Sequence, residues 1–90
     1  MISTAWRMAK SIEWTDAARA DVRRIDRETA MRVLEGLARF LFTDEGDVKL
    51  LKDSDPREYR LRIGDYRIRF HDLGDTLQIL SVRHRREAYR

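Results

Sequence analysis

The chain has no cysteine, one proline and four glycines among its 90 residues. Without cysteine there is no disulfide framework, no thiol nucleophile and no cysteine zinc site. So little proline and glycine excludes collagenous and low-complexity chains. No apolar run approaches the roughly 18 residues of a membrane helix. The longest, Phe40-Leu41-Phe42, is far shorter. Met1 to Lys10 carries two positive charges and no apolar core segment, so no secretory leader is expected and a cytoplasmic location is. What is present suits a folded domain: 42% of residues are hydrophobic and 39% charged. A chain of this length fits one domain, residues 1–90, and buries roughly 60% of its unfolded surface.

Charge is unevenly placed. Residues 1–56 carry ten Lys/Arg and eleven Asp/Glu, a net of −1; residues 57–90 carry nine Arg and five Asp/Glu, a net of +4. Every basic residue in that last third is arginine. Its planar fork matches phosphate and carboxylate oxygens two at a time. An Arg-only basic segment points to a polyanionic partner. A solvated surface is the other reading of the same charges.

The hydrophobic period predicts the elements. Residues 1–8 form a loose lead-in, with Met8 as an alternative start. Residues 9–14 alternate and read as a strand. Thr15 stands at an N-cap position with Asp16 behind it. Ala18, Val22 and Ile25 make a helical stripe over 16–26. The pattern resets near Asp26-Arg27, and a second helix runs over 28–42 with Ala30, Val33, Leu34, Leu37 and Leu41 on one side. Arg19, Arg23, Arg24, Arg27, Arg32 and Arg39 read as the solvated face of this pair. Strands are expected at 48–52, 58–63, 66–71 and 76–84, with turns at Gly64-Asp65 and Leu73-Gly74-Asp75. The order β-α-α-β-β-β-β indicates an α+β fold, a helical hairpin on one face of a small, mainly antiparallel twisted sheet.

Pairing the strands about Gly64-Asp65 sets Leu61 against Ile68 on the apolar side. On the other side Arg62 meets Arg67, Arg60 meets Arg69, and Glu58 meets His71. Like charges directly opposite cost roughly 0.2–1 kcal/mol per pair. Two stacked Arg–Arg pairs therefore suit a phosphate-binding face, although solvation or acidic partners elsewhere would also accommodate them. The last strand is expected beside residues 66–71, bringing His84, Arg85 and Tyr89 towards the arginines. Histidine is the usual acid or base near neutral pH. A tyrosine among arginines can titrate low enough to serve as one. A solvent-facing His84 and a packing Tyr89 are the plain alternatives. His71 and His84 lack ligand spacing, and no metal is expected. There is no glycine-rich phosphate loop and no nucleophile elbow; Ser3, Ser11, Ser54 and Ser81 have no triad context.

Tyr59-Arg60-Leu61-Arg62-Ile63-Gly64-Asp65-Tyr66-Arg67-Ile68-Arg69-Phe70 and Val82-Arg83-His84-Arg85-Arg86-Glu87-Ala88-Tyr89-Arg90 resemble the RelE/ParE toxin superfamily, its RelE-like branch most closely. The marks are the R-x-G-D-Y-R strand-turn-strand and the H-R-R-x-x-Y tail, and the likeness spans about residues 9–90. It implies a toxin of a type II toxin–antitoxin system, held inactive by a cognate antitoxin. It further implies an endonuclease that cuts mRNA in the ribosomal A site, without metal or small-molecule cofactor, by attack of a 2′-hydroxyl on the adjacent phosphate. On that likeness Arg67 and Arg85 would stabilise the transition state, and Tyr89 or His84 would move the proton. Arg60, Arg62, Arg69 and Lys52 would grip the RNA. Arg83 stands where such proteins commonly have glycine, and Phe40-Leu41-Phe42 is more apolar than their usual second-helix end. Burial under the sheet is expected for these phenylalanines, antitoxin docking being the alternative. Two other functions stay open. One is a ParE-like toxin that inhibits DNA gyrase by binding and cuts nothing. The other is an RNA-binding module without turnover.

Overall fold

The computed structural model describes residues 11–88. The lead-in at 1–8, the first two residues of the predicted strand 9–14, and Tyr89 lie outside the described residues. The chain runs β1 (Ser11–Trp14), α1 (Asp16–Arg23), α2 (Arg27–Thr43), β2 (Asp47–Lys52), β3 (Arg57–Ile63), β4 (Tyr66–Asp72), β5 (Thr76–His84) and α3 (Arg85–Ala88). The strands form one sheet in the order β1-β5-β4-β3-β2. All neighbours are antiparallel except β1, which lies parallel to β5. This is the expected α+β arrangement, with one parallel pairing.

Short polar side chains set the helix ends. Thr15, in extended conformation, accepts from the Ala18 N–H and so starts α1. Arg24 N–H turns back to the carbonyls of Asp21 and Val22, which ends α1 at Arg23, three residues before the expected 26. Asp26 then caps α2 by accepting from the Thr29 N–H at 3.1 Å. Thr29's side-chain and backbone hydrogen bonds hold the Asp26 carboxyl below its ordinary pKa. The break seen in the sequence at Asp26-Arg27 is this cap. Asp44 ends α2 in the left-handed region, φ 63°, its N–H on the Phe40 carbonyl.

The hairpin joining β3 to β4 has Gly64 and Asp65 as its loop, and Gly64 takes φ 58°. A two-residue turn of type II′ needs a positive φ at that first position, which glycine adopts without strain. The register is then as expected: Leu61–Ile68, Arg62–Arg67, Arg60–Arg69, Glu58–His71.

Helices cover one sheet face. Ala18, Val33, Leu37 and Phe40 pack on Leu61, Ile68, Phe70, Leu77, Ile79 and Val82, all buried. Phe40 meets Phe70 with ring centroids 5.9 Å apart, and Tyr59 stacks on Phe70 at 5.4 Å. Burying each such large side chain contributes roughly 1.5–3 kcal/mol. Two expectations fail here. Leu34 is exposed rather than part of the core, and Phe42 is 84% exposed. Phe40 and Phe42 lie about 200° apart around a helix, so only one of them can face the sheet.

Candidate functional site

The face of the sheet away from the helices carries the arginines. Across the strands they form rows. One row is Asp47 (β2), Arg62 (β3), Arg67 (β4) and Arg83 (β5); the next is Lys49, Arg60, Arg69 and Ser81. A third is Lys52, Glu58, His71, Gln78 and, on β1, Glu13. Neighbouring strands lie about 4.8 Å apart, so three arginines of one row crowd into about 10 Å.

A bulge decides which β5 side chains join these rows. Phe70 pairs with Ile79 but Arg69 with Ser81, so Leu80 is an extra residue. It shifts the strand's alternation by one position. Val82 thereby turns to the core beside Ile68, Arg83 joins Arg67, and His84 joins Tyr66 on the helix side. The N-cap and the last turn of α1 clamp the bulge. Thr15 donates its hydroxyl to the Ile79 carbonyl at 2.8 Å, and the Asp21 carboxylate accepts from the Val82 N–H at 2.9 Å. Asp21 is buried, 5% exposed, and its other oxygen meets Arg24 at 2.5 Å. That pairing offsets the cost of taking a carboxylate out of water.

The cations differ in how far they are already committed. Arg69 is bound to Glu58 through both Nε, at 2.6 Å, and Nη2. Glu58 is 4% exposed and also faces His71, whose Nδ1 meets Gln78 at 3.2 Å. Gln78 in turn reaches Glu13. Arg69 is therefore spoken for, which weakens its expected role in gripping RNA. Arg62 is held loosely by Asp47 at 3.4 Å. The Arg60 Nε is buried and has no hydrogen-bond partner among the described residues. Arg67, in the middle of its row, is 6% exposed. Lys52 is exposed on β2, at the margin of the face.

The tail does not bring all its expected residues to this face. His84 stands edge-on to the Tyr66 ring at 5.4 Å. Its Nδ1 accepts from the Arg86 N–H at 3.2 Å, which leaves the Nε2 nitrogen to carry the proton in the neutral ring. It lines a groove of about 450 Å³ with Thr29, Arg32, Val33, Ile63, Gly64, Asp65 and Tyr66, on the helix side. The expectation that β5 carries His84 to the arginine patch is thus corrected, the Leu80 bulge being the reason. Arg85 is exposed at the start of α3, its N–H bound to the Asp65 carbonyl at 2.7 Å. Sequence reasoning missed Asp21 and Glu58, the buried carboxylates that organise the arginines. It also gave Arg83 no place in the site. Among the described residues no group of three or more His, Asp or Glu side chains is placed to hold a metal.

A helical hairpin on one face of a mixed five-stranded sheet, with arginines on the other, defines a small cation-faced α+β domain. The model of the family described as the ParE toxin of type II toxin–antitoxin systems, parDE, matches residues 12–89. Three solved structures share the fold. The RelB–RelE antitoxin–toxin complex from Methanococcus jannaschii aligns with TM-score 0.69 and 22% identity, over 86% of this chain and 94% of that one. The archaeal RelE–RelB complex from Pyrococcus horikoshii gives 0.70 and 20%, over 87% and 97%. The RelBE2 complex from Mycobacterium tuberculosis gives 0.57 and 24%, over 86% and 92%. Curated proteins give no match. The chain belongs to the RelE/ParE superfamily, as its two motifs suggested, and is a toxin of a type II toxin–antitoxin system.

Proposed function

We propose that this toxin is a ribosome-dependent mRNA endonuclease that works without a metal and is neutralised by a cognate antitoxin. The observation that carries the proposal is the open sheet face, where Arg60, Arg62, Arg67 and Arg83 stand together on three neighbouring strands. In the reaction a 2′-oxygen attacks the neighbouring phosphorus and its proton passes to a base. The bond to the 5′-oxygen breaks and that oxygen takes up a proton. A 2′,3′-cyclic phosphate and a 5′-hydroxyl result. Arginines aimed at the phosphate oxygens offset the charge that develops there, the kind of effect worth about 10²–10³ in rate per donor. Arg67 and Arg85 take that role, and Arg60 and Arg62 hold the strand. The position of His84 on the helix side favours Tyr89 as the proton-transfer group.

The antitoxin is given a different face. Trp14, Val22 and Leu34 line an apolar groove of about 320 Å³ between α1 and α2, rimmed by Arg19 and Arg23. Exposed Met31 and Phe42 extend the apolar surface along α2. An amphipathic helix with acidic flanks fits such a groove.

A second reading, inhibition of DNA gyrase by binding, is favoured by two observations. Arg67 is almost fully buried, and the matching family model is that of ParE toxins. Cell-free translation of a defined mRNA, mapped by primer extension with and without ribosomes, separates the two. Wild type is expected to give ribosome-dependent cuts that fall at least tenfold for Arg62→Ala and Tyr89→Phe. Intact mRNA together with blocked gyrase supercoiling would establish the second reading instead.

A further inference from the structure

We infer that Arg83 is a phosphate-gripping residue of this toxin, the counterpart of Arg62 on the far side of Arg67. The inference rests on the proposal that the open face takes a nucleic-acid strand. It deepens that proposal by naming a residue.

The row centred on Arg67 is symmetric. Arg67 on β4 has Arg62 as its neighbour on β3 and Arg83 as its neighbour on β5. Each outer arginine is drawn outward by one carboxylate. Arg62 Nη1 lies 3.4 Å from Asp47, and Arg83 Nε lies 3.7 Å from Asp21. Neither contact is a close hydrogen bond. Both outer side chains are about half exposed, at 45% and 50%. Among the described residues no hydrogen bond engages the Arg83 guanidinium. The row therefore reads Asp47, Arg62, Arg67, Arg83, Asp21, with its end carboxylates relieving three crowded cations.

Asp21 is poorly placed to compete for Arg83. Its Oδ1 is already taken by Arg24, and its Oδ2 by the Val82 N–H. A phosphate above Arg67 offers unshared oxygens in reach of both outer forks. It would draw Arg83 inward as it draws Arg62. The Leu80 bulge is what makes this possible, because without the extra residue Arg83 would turn to the helix side. Thr15 and Asp21 of the first helix region hold that bulge in place, so the hairpin that covers the core also sets the reach of the site.

The test is fluorescence anisotropy of a labelled ten-nucleotide RNA with 2′-O-methyl sugars, which binds but cannot be cut. It is titrated with the full-length protein at several salt concentrations. Wild type, Arg83→Ala, Arg83→Lys, Arg62→Ala and Arg39→Ala are compared, each checked for an unchanged circular dichroism spectrum. Arg83→Ala is expected to weaken binding about as much as Arg62→Ala. Each should flatten the slope of log affinity against log salt by about 0.7, the value for one phosphate contact on a single strand. Arg83→Lys should keep the slope, and Arg39→Ala should match wild type. If Arg62→Ala weakens binding while Arg83→Ala matches wild type, the role of Arg83 is overturned and the face keeps its function. If wild type shows no salt-dependent binding, the reading of the face fails and the inference fails with it.

Discussion

At the scale of single residues, buried carboxylates govern what the arginines can do. Glu58 sits at 4% exposure between Arg69 and His71, so it neutralises the lower part of a face whose upper rows stay cationic. Glu58→Gln keeps the shape but loses the charge. It is expected to cost on the order of 1–3 kcal/mol of stability, measured by urea unfolding, since it weakens hydrogen bonds to a charged partner. The same change releases Arg69 and is expected to tighten RNA binding severalfold in the anisotropy assay. A change in stability without any gain in affinity would mean that Arg69 does not reach the strand. These effects were only partly legible in the sequence. The Arg62–Arg67 and Arg60–Arg69 pairs followed from a two-residue turn at Gly64-Asp65, and the register agrees. That Glu58 lies buried within that face did not follow, because alternation assigns a face but not a depth.

At the scale of elements, the ends and close approaches of the helices matter most. The Asp26 carboxylate caps α2, and its hydrogen bonds from Thr29 lower its folded pKa below the unfolded value of about 3.9. A lowered folded pKa contributes stability above the unfolded value, and that contribution disappears as pH falls through the folded one. Asp26→Asn is therefore expected to keep the cap yet flatten the loss of melting temperature between about pH 5 and pH 2. An unchanged acid profile would assign that loss to other carboxylates. Gly36 gives a second prediction. Helix propensity alone favours Gly36→Ala by up to about 1 kcal/mol. A Cβ there, however, would come within 2.9 Å of Ile63 Cγ2 and Cδ1, where α2 crosses β3. Overpacking of this kind costs about 1–3 kcal/mol, so the melting temperature is expected to fall. The strand bulges have a signature in the sequence. Both occur at doubled apolar residues, Leu50-Leu51 and Ile79-Leu80, where strict alternation breaks. Placing the second of these explains why Arg83 lies on the open face and His84 does not.

At the scale of the whole molecule, the proposed function assigns different work to the two faces. The fold class was legible because helix and strand periods follow one another without mixing, and because Gly64 and Gly74 mark the turns. The division of the helix hairpin into a core side and an exposed apolar side was less so. Leu34 and Phe42 continue the apolar arc of α2 past the width the sheet can cover. Hydrophobicity alone does not say where the sheet ends. The central claim is that toxicity comes from the arginine face and not from the helix face. The most direct measurement is growth after induction of the toxin without antitoxin. The paired variants Arg60→Ala/Arg62→Ala and Arg32→Ala/Arg39→Ala would be compared with wild type at matched soluble levels. The account predicts that the sheet-face pair restores growth while the helix-face pair arrests it as wild type does. Growth restored by the helix-face pair, with arrest persisting in the sheet-face pair, would contradict it.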